Sequence, residues 1–107
     1  MPASDDGKVY FDHAEYSTRH GDWIAWTRDD VILLKDLVGK VVNICTKDGM
    51  VYEATTVTGI DNRWGLLTIE GGRCGRPIME PGESDPVDKP EVIDPYDIAR
   101  GYINPQV

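Results

Sequence analysis

Five side chains able to bind a metal ion or move a proton, Asp12, His13, Glu15, His20 and Asp22, fall within eleven residues. His13-Ala14-Glu15 has the His-x-Glu form found in zinc deaminases, where the histidine ligates zinc and the glutamate shuttles protons. That chemistry also needs a Pro-Cys-x-x-Cys element, which the chain lacks. Its two cysteines, Cys45 and Cys74, are too few and too far apart for a disulfide framework or a zinc knuckle, so two reduced thiols are expected. The acid and histidine cluster is accordingly expected to form a solvated polar turn, with no metal and no cofactor. There is no Gly-x-Ser-x-Gly, no P-loop and no Gly-x-Gly-x-x-Gly after a strand. Cys45 has no histidine near it in sequence to activate the thiol. The expected protein binds and does no catalysis.

The residues that would position a binding site are best ordered between Leu37 and Ile69. Val41 to Thr46 is β-branched and apolar, Lys47-Asp48-Gly49 supplies a tight turn, and Val51 to Ile60 runs back. Asp61-Asn62 turns again and Trp64 to Ile69 returns, so the spacing predicts three antiparallel strands. Within the second strand Tyr52 and Ala54 share one face while Val57 falls on the other parity. A β-bulge near Thr55-Thr56 would account for the change of phase and bend the strand. Gly59 permits a second bend, and Gly71-Gly72 ends the third strand.

Ahead of this meander, Thr27-Arg28-Asp29-Asp30 resembles a capping box, and Val31, Leu34 and Val38 follow at helical spacing before Gly39. A helix over about 28–38 is expected, the alternative being a strand over Val31 to Leu34 and a turn over Lys35 to Lys40. Lys8 to Phe11 reads as a short strand and Trp23 to Trp26 as an apolar patch, both in an extension, residues 8–27, that covers the sheet. Residues 1–7 are expected to fray. Residues 72–96 read as a long acidic, proline-rich loop with only Val92-Ile93 able to rejoin the sheet, and 97–103 as a closing strand. The chain length of 107 residues suits one such domain.

Charge narrows the partners. Eleven Lys and Arg against nineteen Asp and Glu leave a net −8, which disfavours indiscriminate attachment to double-stranded DNA or an anionic membrane. No apolar run approaches a membrane span and the N-terminus lacks a signal-peptide pattern, so a cytoplasmic protein is expected. Between Glu80 and Glu91 the carboxylates of Glu80, Glu83, Asp85, Asp88 and Glu91, offset by Lys89 alone, carry half of the net charge. That segment suits docking on a basic protein partner.

Residues 37–69 with 98–103 resemble the Sm and LSm-like small barrels, in which an N-terminal helix precedes a bent five-stranded antiparallel sheet of SH3 type. The Gly39-Lys40 entry, the Lys47-Asp48-Gly49 turn, Tyr52, Asp61-x-x-Trp64 and Ile98-Ala99-Arg100-Gly101-Tyr102-Ile103 carry the likeness. The family glycine of the second strand is Ala54 here, one extra residue precedes Asp61, and the family asparagine is Gly65. PRC-barrel modules are also similar, through the Leu-x-Gly-Lys entry, the Asp-Gly turn and the segment before the last strand. The Sm-like resemblance implies a mainly β small barrel in which Asp61, Trp64, Gly65, Arg100 and Gly101 gather around one base of single-stranded RNA. Trp64 would stack on the base, with Arg63 or Arg100 at a phosphate. Open strand edges point instead to self-association or a protein partner. A protein-binding or assembly module is the leading expectation, and an RNA-binding ring subunit the second.

Overall fold

In the computed structural model, residues 8–61, 63–75 and 85–104 are described. Residues 1–7, Asn62, Glu80, Glu83 and the tail from 105 onward lie outside that range. The chain is mainly β, with two short 3-10 turns and no α-helix among the described residues.

The predicted meander forms. A strand over Val41–Thr46 (β5) pairs antiparallel with Val51–Asp61 (β6), which pairs with Leu66–Glu70 (β7). Alternation places Val42 and Ile44 of β5, Val57 of β6, and Leu67 and Ile69 of β7 in one core. At the hairpin tip Gly49 N–H donates to the Thr46 carbonyl (3.0 Å) and Thr46 N–H to the Met50 carbonyl (2.8 Å).

Two register shifts bend β6. Val42 faces Thr55 while Ile44 faces Tyr52, so β6 carries an extra residue at Glu53-Ala54, and Ala54 adopts φ +52. Val57 faces Ile69 while Gly59 faces Thr68, which leaves Thr58 as the second insertion. The bulges thus flank Thr55-Thr56, and the first explains why Tyr52 and the buried Thr55, three residues apart, both turn inward. The third strand ends at Glu70, before Gly71-Gly72 as expected, and a new strand, Arg73–Gly75 (β8), then runs along β6 and pairs onward with Asp85–Pro86 (β9).

Glu91–Ile93 (β10) adds to β7, and Ile98–Ile103 (β11) adds to β5 on the other side. Val9–Phe11 (β1) pairs with β11, giving the order β1-β11-β5-β6-β7-β10. No ladder among the described residues joins β1 to β10, so this path does not close into a hydrogen-bonded ring. The loop expected over 72–96 therefore contains β8, β9 and β10, with Val87 buried where its N–H reaches Gly72 and its carbonyl receives Gly71 N–H.

The helix expected over 28–38 is corrected. Thr27 Oγ1 does accept from Asp30 N–H (3.0 Å), but Thr27 N–H also donates to the Asp30 carbonyl (2.9 Å), which closes a hairpin. Asp22–Trp26 (β3) and Val31–Leu33 (β4) form its arms, and Leu34–Leu37 is a single 3-10 turn. Val31 and Ile32 are β-branched, and Ile32-Leu33 gain more by lying beside the buried Ala25 and Ile24 than by completing one amphipathic turn. The stretch expected as a solvated turn also holds a strand, Ala14–Ser17 (β2), which pairs with β3. This three-stranded sheet covers the larger one, placing Ala14, Trp23 and Ala25 in the common core with Phe11 and Ile98.

Candidate functional site

The side chains of the would-be metal cluster go to separate partners. Trp26 Nε1–H donates to Glu15 Oε2 (2.6 Å), and His13 Nε2 lies 3.9 Å from the same carboxylate oxygen. His20 Nδ1 is 2.8 Å from Ser17 Oγ, and Asp22 pairs with Lys35 Nζ at 3.1 Å. Among the described residues no three His, Cys, Asp or Glu side chains converge on a point that could hold a cation.

Asp61 ends β6 and spends its polar atoms on the turn. Its Oδ1 accepts from Arg63 N–H (2.9 Å) and its carbonyl from Gly65 N–H (2.6 Å). Arg63 stacks its guanidinium 5.5 Å from the Trp64 ring, which is 59% exposed. Gly65 has φ +71, and a Cβ there would lie 2.4 Å from the Trp23 ring, so Trp23 packs directly on the glycine backbone.

Arg100 and Gly101 do not join this turn along the sheet. Arg100 stands beside Cys45, which pairs with Val51, the first residue of β6, whereas Asp61 is its last. Arg100 is exposed and has neither an ion pair nor a side-chain hydrogen bond among the described residues, so an Asp97–Arg100 pair is absent there.

What reaches the Asp61–Gly65 turn instead is aromatic. Trp23 is 6% exposed and lies between two tyrosines: Tyr16, 44% exposed, with ring centroids 5.3 Å apart, and Tyr96, 52% exposed, at 5.6 Å. Both contacts are edge-to-face, the arrangement aromatic quadrupoles favour. Tyr16 and Trp23 are cross-strand partners in β2 and β3. Tyr96 is set by its own turn, Pro95–Asp97, where Asp94 Oδ1 accepts from Tyr96 N–H (2.9 Å) and the buried Pro95 occupies the first position. Lys47 N–H donates to the Asp97 carbonyl (2.8 Å) and ties that turn to the β5–β6 hairpin.

The ladder Tyr16–Trp23–Tyr96, with Trp64 one residue from the glycine beneath Trp23, is therefore a half-exposed apolar surface on a rigid base. Asp61, Asp94 and Asp97 are exposed around it, with Arg63 alongside. Behind Trp23, its own N–H (2.8 Å to Oδ1) and then Lys35 hold the Asp22 carboxyl below its usual range. No nucleophile or proton-transfer pair sits in the ladder; what it offers is apolar ring surface close in sequence to exposed carboxylates.

The acidic segment is partly tied down. Asp85 lies in β9, Asp88 is exposed, and Glu91 Oε1 accepts from Tyr52 Oη (3.4 Å). Burial, and next the Glu91 carboxylate, push the Tyr52 phenol up.

Sequence reasoning named Trp64 as a candidate for stacking on a base, read Trp23 only as part of a covering apolar patch, and missed Tyr16 and Tyr96. Tyr16 follows Ala14 at strand spacing, and Asp94-Pro95-Tyr96 is a turn signature that holds the tyrosine outward, so both carried a local signal. Their convergence on Trp23 did not. Compared with known proteins, the chain matches no family model, no curated protein and no solved structure.

Proposed function

We propose that this protein is a non-enzymatic binding module that docks a protein partner on the Tyr16–Trp23–Tyr96 ladder. The observation that carries the proposal is the ladder itself. Two half-exposed tyrosines are fixed edge-on to one buried tryptophan, so large contact area is presented at little entropic cost. Rows of rigid aromatic rings suit an extended proline-containing peptide, whose polyproline II backbone is already stiff and leaves its prolines free to lie between rings. The exposed Asp61, Asp94 and Asp97, on a chain of net −8, favour a peptide that also carries Lys or Arg.

We further infer that β11-β5-β6-β7-β10 form a small barrel of the Sm or SH3 kind. The two bulges of β6 bend the sheet, and only Asp94 and the turn Pro95–Asp97 link β10 to β11. Self-association is the related alternative within the same class. The exposed Val9 on β1 and Val92 on β10 mark sheet margins that a second copy could extend. Single-stranded RNA is the second reading, favoured by the exposed Trp64 with Arg63 against it.

Titration with a fixed panel of synthetic peptides, some with proline and arginine and some with neither, tests the proposal. Binding should favour the proline-arginine peptides and weaken about tenfold in Tyr96→Ala and in Tyr16→Ala, each still folded by circular dichroism. Peptides that bind equally well to both variants would overturn it. Tight, salt-sensitive binding of a short RNA lost in Trp64→Ala would favour the second reading.

A further inference from the structure

Outside the ladder, a cavity of about 410 Å³ opens over β1, β11, β5 and the start of β6. That volume lies within the few hundred Å³ typical of small-ligand sites. Tyr10 and Tyr102 are register partners, their ring centroids 5.3 Å apart and their planes tilted by 52°. Phe11, Ile44 and Val51 contribute apolar wall. Gly101 forms part of the floor: a Cβ there would come within 2.4 Å of the Asn43 carbonyl oxygen and 2.8 Å of the Phe11 ring, so β11 can lie this close only without a side chain.

Three polar groups meet these rings. Arg100 lines the cavity with a guanidinium that has no ion pair among the described residues. Lys8 Nζ lies 4.8 Å from the Tyr102 ring. Asn43 Oδ1 already accepts from Ala54 N–H (3.1 Å) and Asn104 Nδ2 (2.8 Å), which leaves its own amide N–H groups as donors. Asp12, which also lines the cavity, is the one carboxylate there.

We propose that this cavity binds a nucleoside monophosphate unit, with the base against Tyr10 and Tyr102 and the phosphate toward Arg100. Aromatic rings take the π-face of any base, and a guanidinium matches the paired oxygens of a phosphate. Arg100, the one cation in the lining, has no ion pair among the described residues, so an anionic group on the ligand is its complement. Asp12 accepts but cannot donate once ionised, and therefore favours bases with an exocyclic amino group over uracil. The inference does not rest on peptide docking at the ladder, which involves none of these residues.

Titration of the 15N-labelled full chain with AMP, CMP, GMP and UMP, and separately with adenosine and with ribose 5-phosphate, tests it. Shift changes should centre on residues 8–12, 43–45 and 100–102. The amino-bearing nucleotides should bind about tenfold more tightly than UMP or either half-molecule. Arg100→Gln, at an exposed position, should keep the fold and weaken AMP about tenfold, while Asp12→Asn should narrow the gap between CMP and UMP. A short single-stranded oligonucleotide distinguishes the source of the unit. Stronger binding than AMP at these same residues means a strand, and equal or weaker binding means the free nucleotide. No shifts at millimolar AMP, or shifts unchanged in Arg100→Gln, would overturn the proposal.

Discussion

Asp22 shows how one side chain can hold a surface in place without belonging to it. Its carboxylate accepts the Trp23 N–H and pairs with Lys35 on the 3-10 turn, so the strand carrying the central ring of the ladder is tied to the segment behind it. Those contacts hold its pKa below the ordinary carboxylate value in the folded chain. The unfolded chain binds the proton more readily, so the stabilisation is complete above roughly pH 4 and is lost as pH falls through the folded value. Asp22→Asn should thus be less stable than wild type near neutrality. Denaturant titrations from pH 7 to pH 2.5 should show that gap narrowing below about pH 4; a gap constant across the range would deny Asp22 this role. Gly65 is the complementary case, since its missing Cβ is what admits the Trp23 ring.

Among the elements, β6 decides the shape of the larger sheet. Its phase change was legible because Tyr52, Ala54 and Val57 cannot share one alternation. The insertion lies one to two residues earlier than the parity alone suggested, at Glu53-Ala54, with a second at Thr58. Ala54 holds φ +52, a conformation that costs an L-residue about 1–2 kcal/mol and glycine almost nothing. Ala54→Gly should therefore raise stability by about 0.5–1 kcal/mol, after the greater freedom glycine gives the unfolded chain. Chemical denaturation measures this, and a loss of stability would mean that the alanine methyl packs usefully at the bulge. Strands β5, β6, β7 and β11 were readable because β-branched alternation and turn residues agree there. Hairpin β3–β4 was not, because Thr27, Asp30 and the apolar spacing after them fit a capped helix equally well. Only the pairing of Val31–Leu33 with a largely buried strand five to nine residues earlier decides between them. The polar surroundings of Ala14–Ser17 hid β2 in the same way.

Across the whole molecule, residues 16, 23, 65 and 96 become neighbours because a small three-stranded sheet lies over a larger bent one. That juxtaposition depends on contacts far apart in sequence, so the candidate site was far less legible than the strands that build it. Arg100-Gly101 and Asp61–Gly65, which a small-barrel resemblance draws to one RNA base, sit instead beside opposite ends of β6. Each has its own aromatic surroundings: Trp23 and Trp64 at one, Tyr10 and Tyr102 at the other. The acidic body favours association with a basic partner at low ionic strength, and added salt should weaken it as exposed charges are screened.

Titrating the 15N-labelled chain with an arginine- and proline-containing peptide tests docking at the ladder most directly. Saturable shifts should appear at the indole N–H of Trp23 and Trp64 and at the backbone of Tyr16 and Tyr96, and disappear in Tyr96→Ala. Shifts confined to the margins β1 and β10, or to none of these four residues, would contradict it.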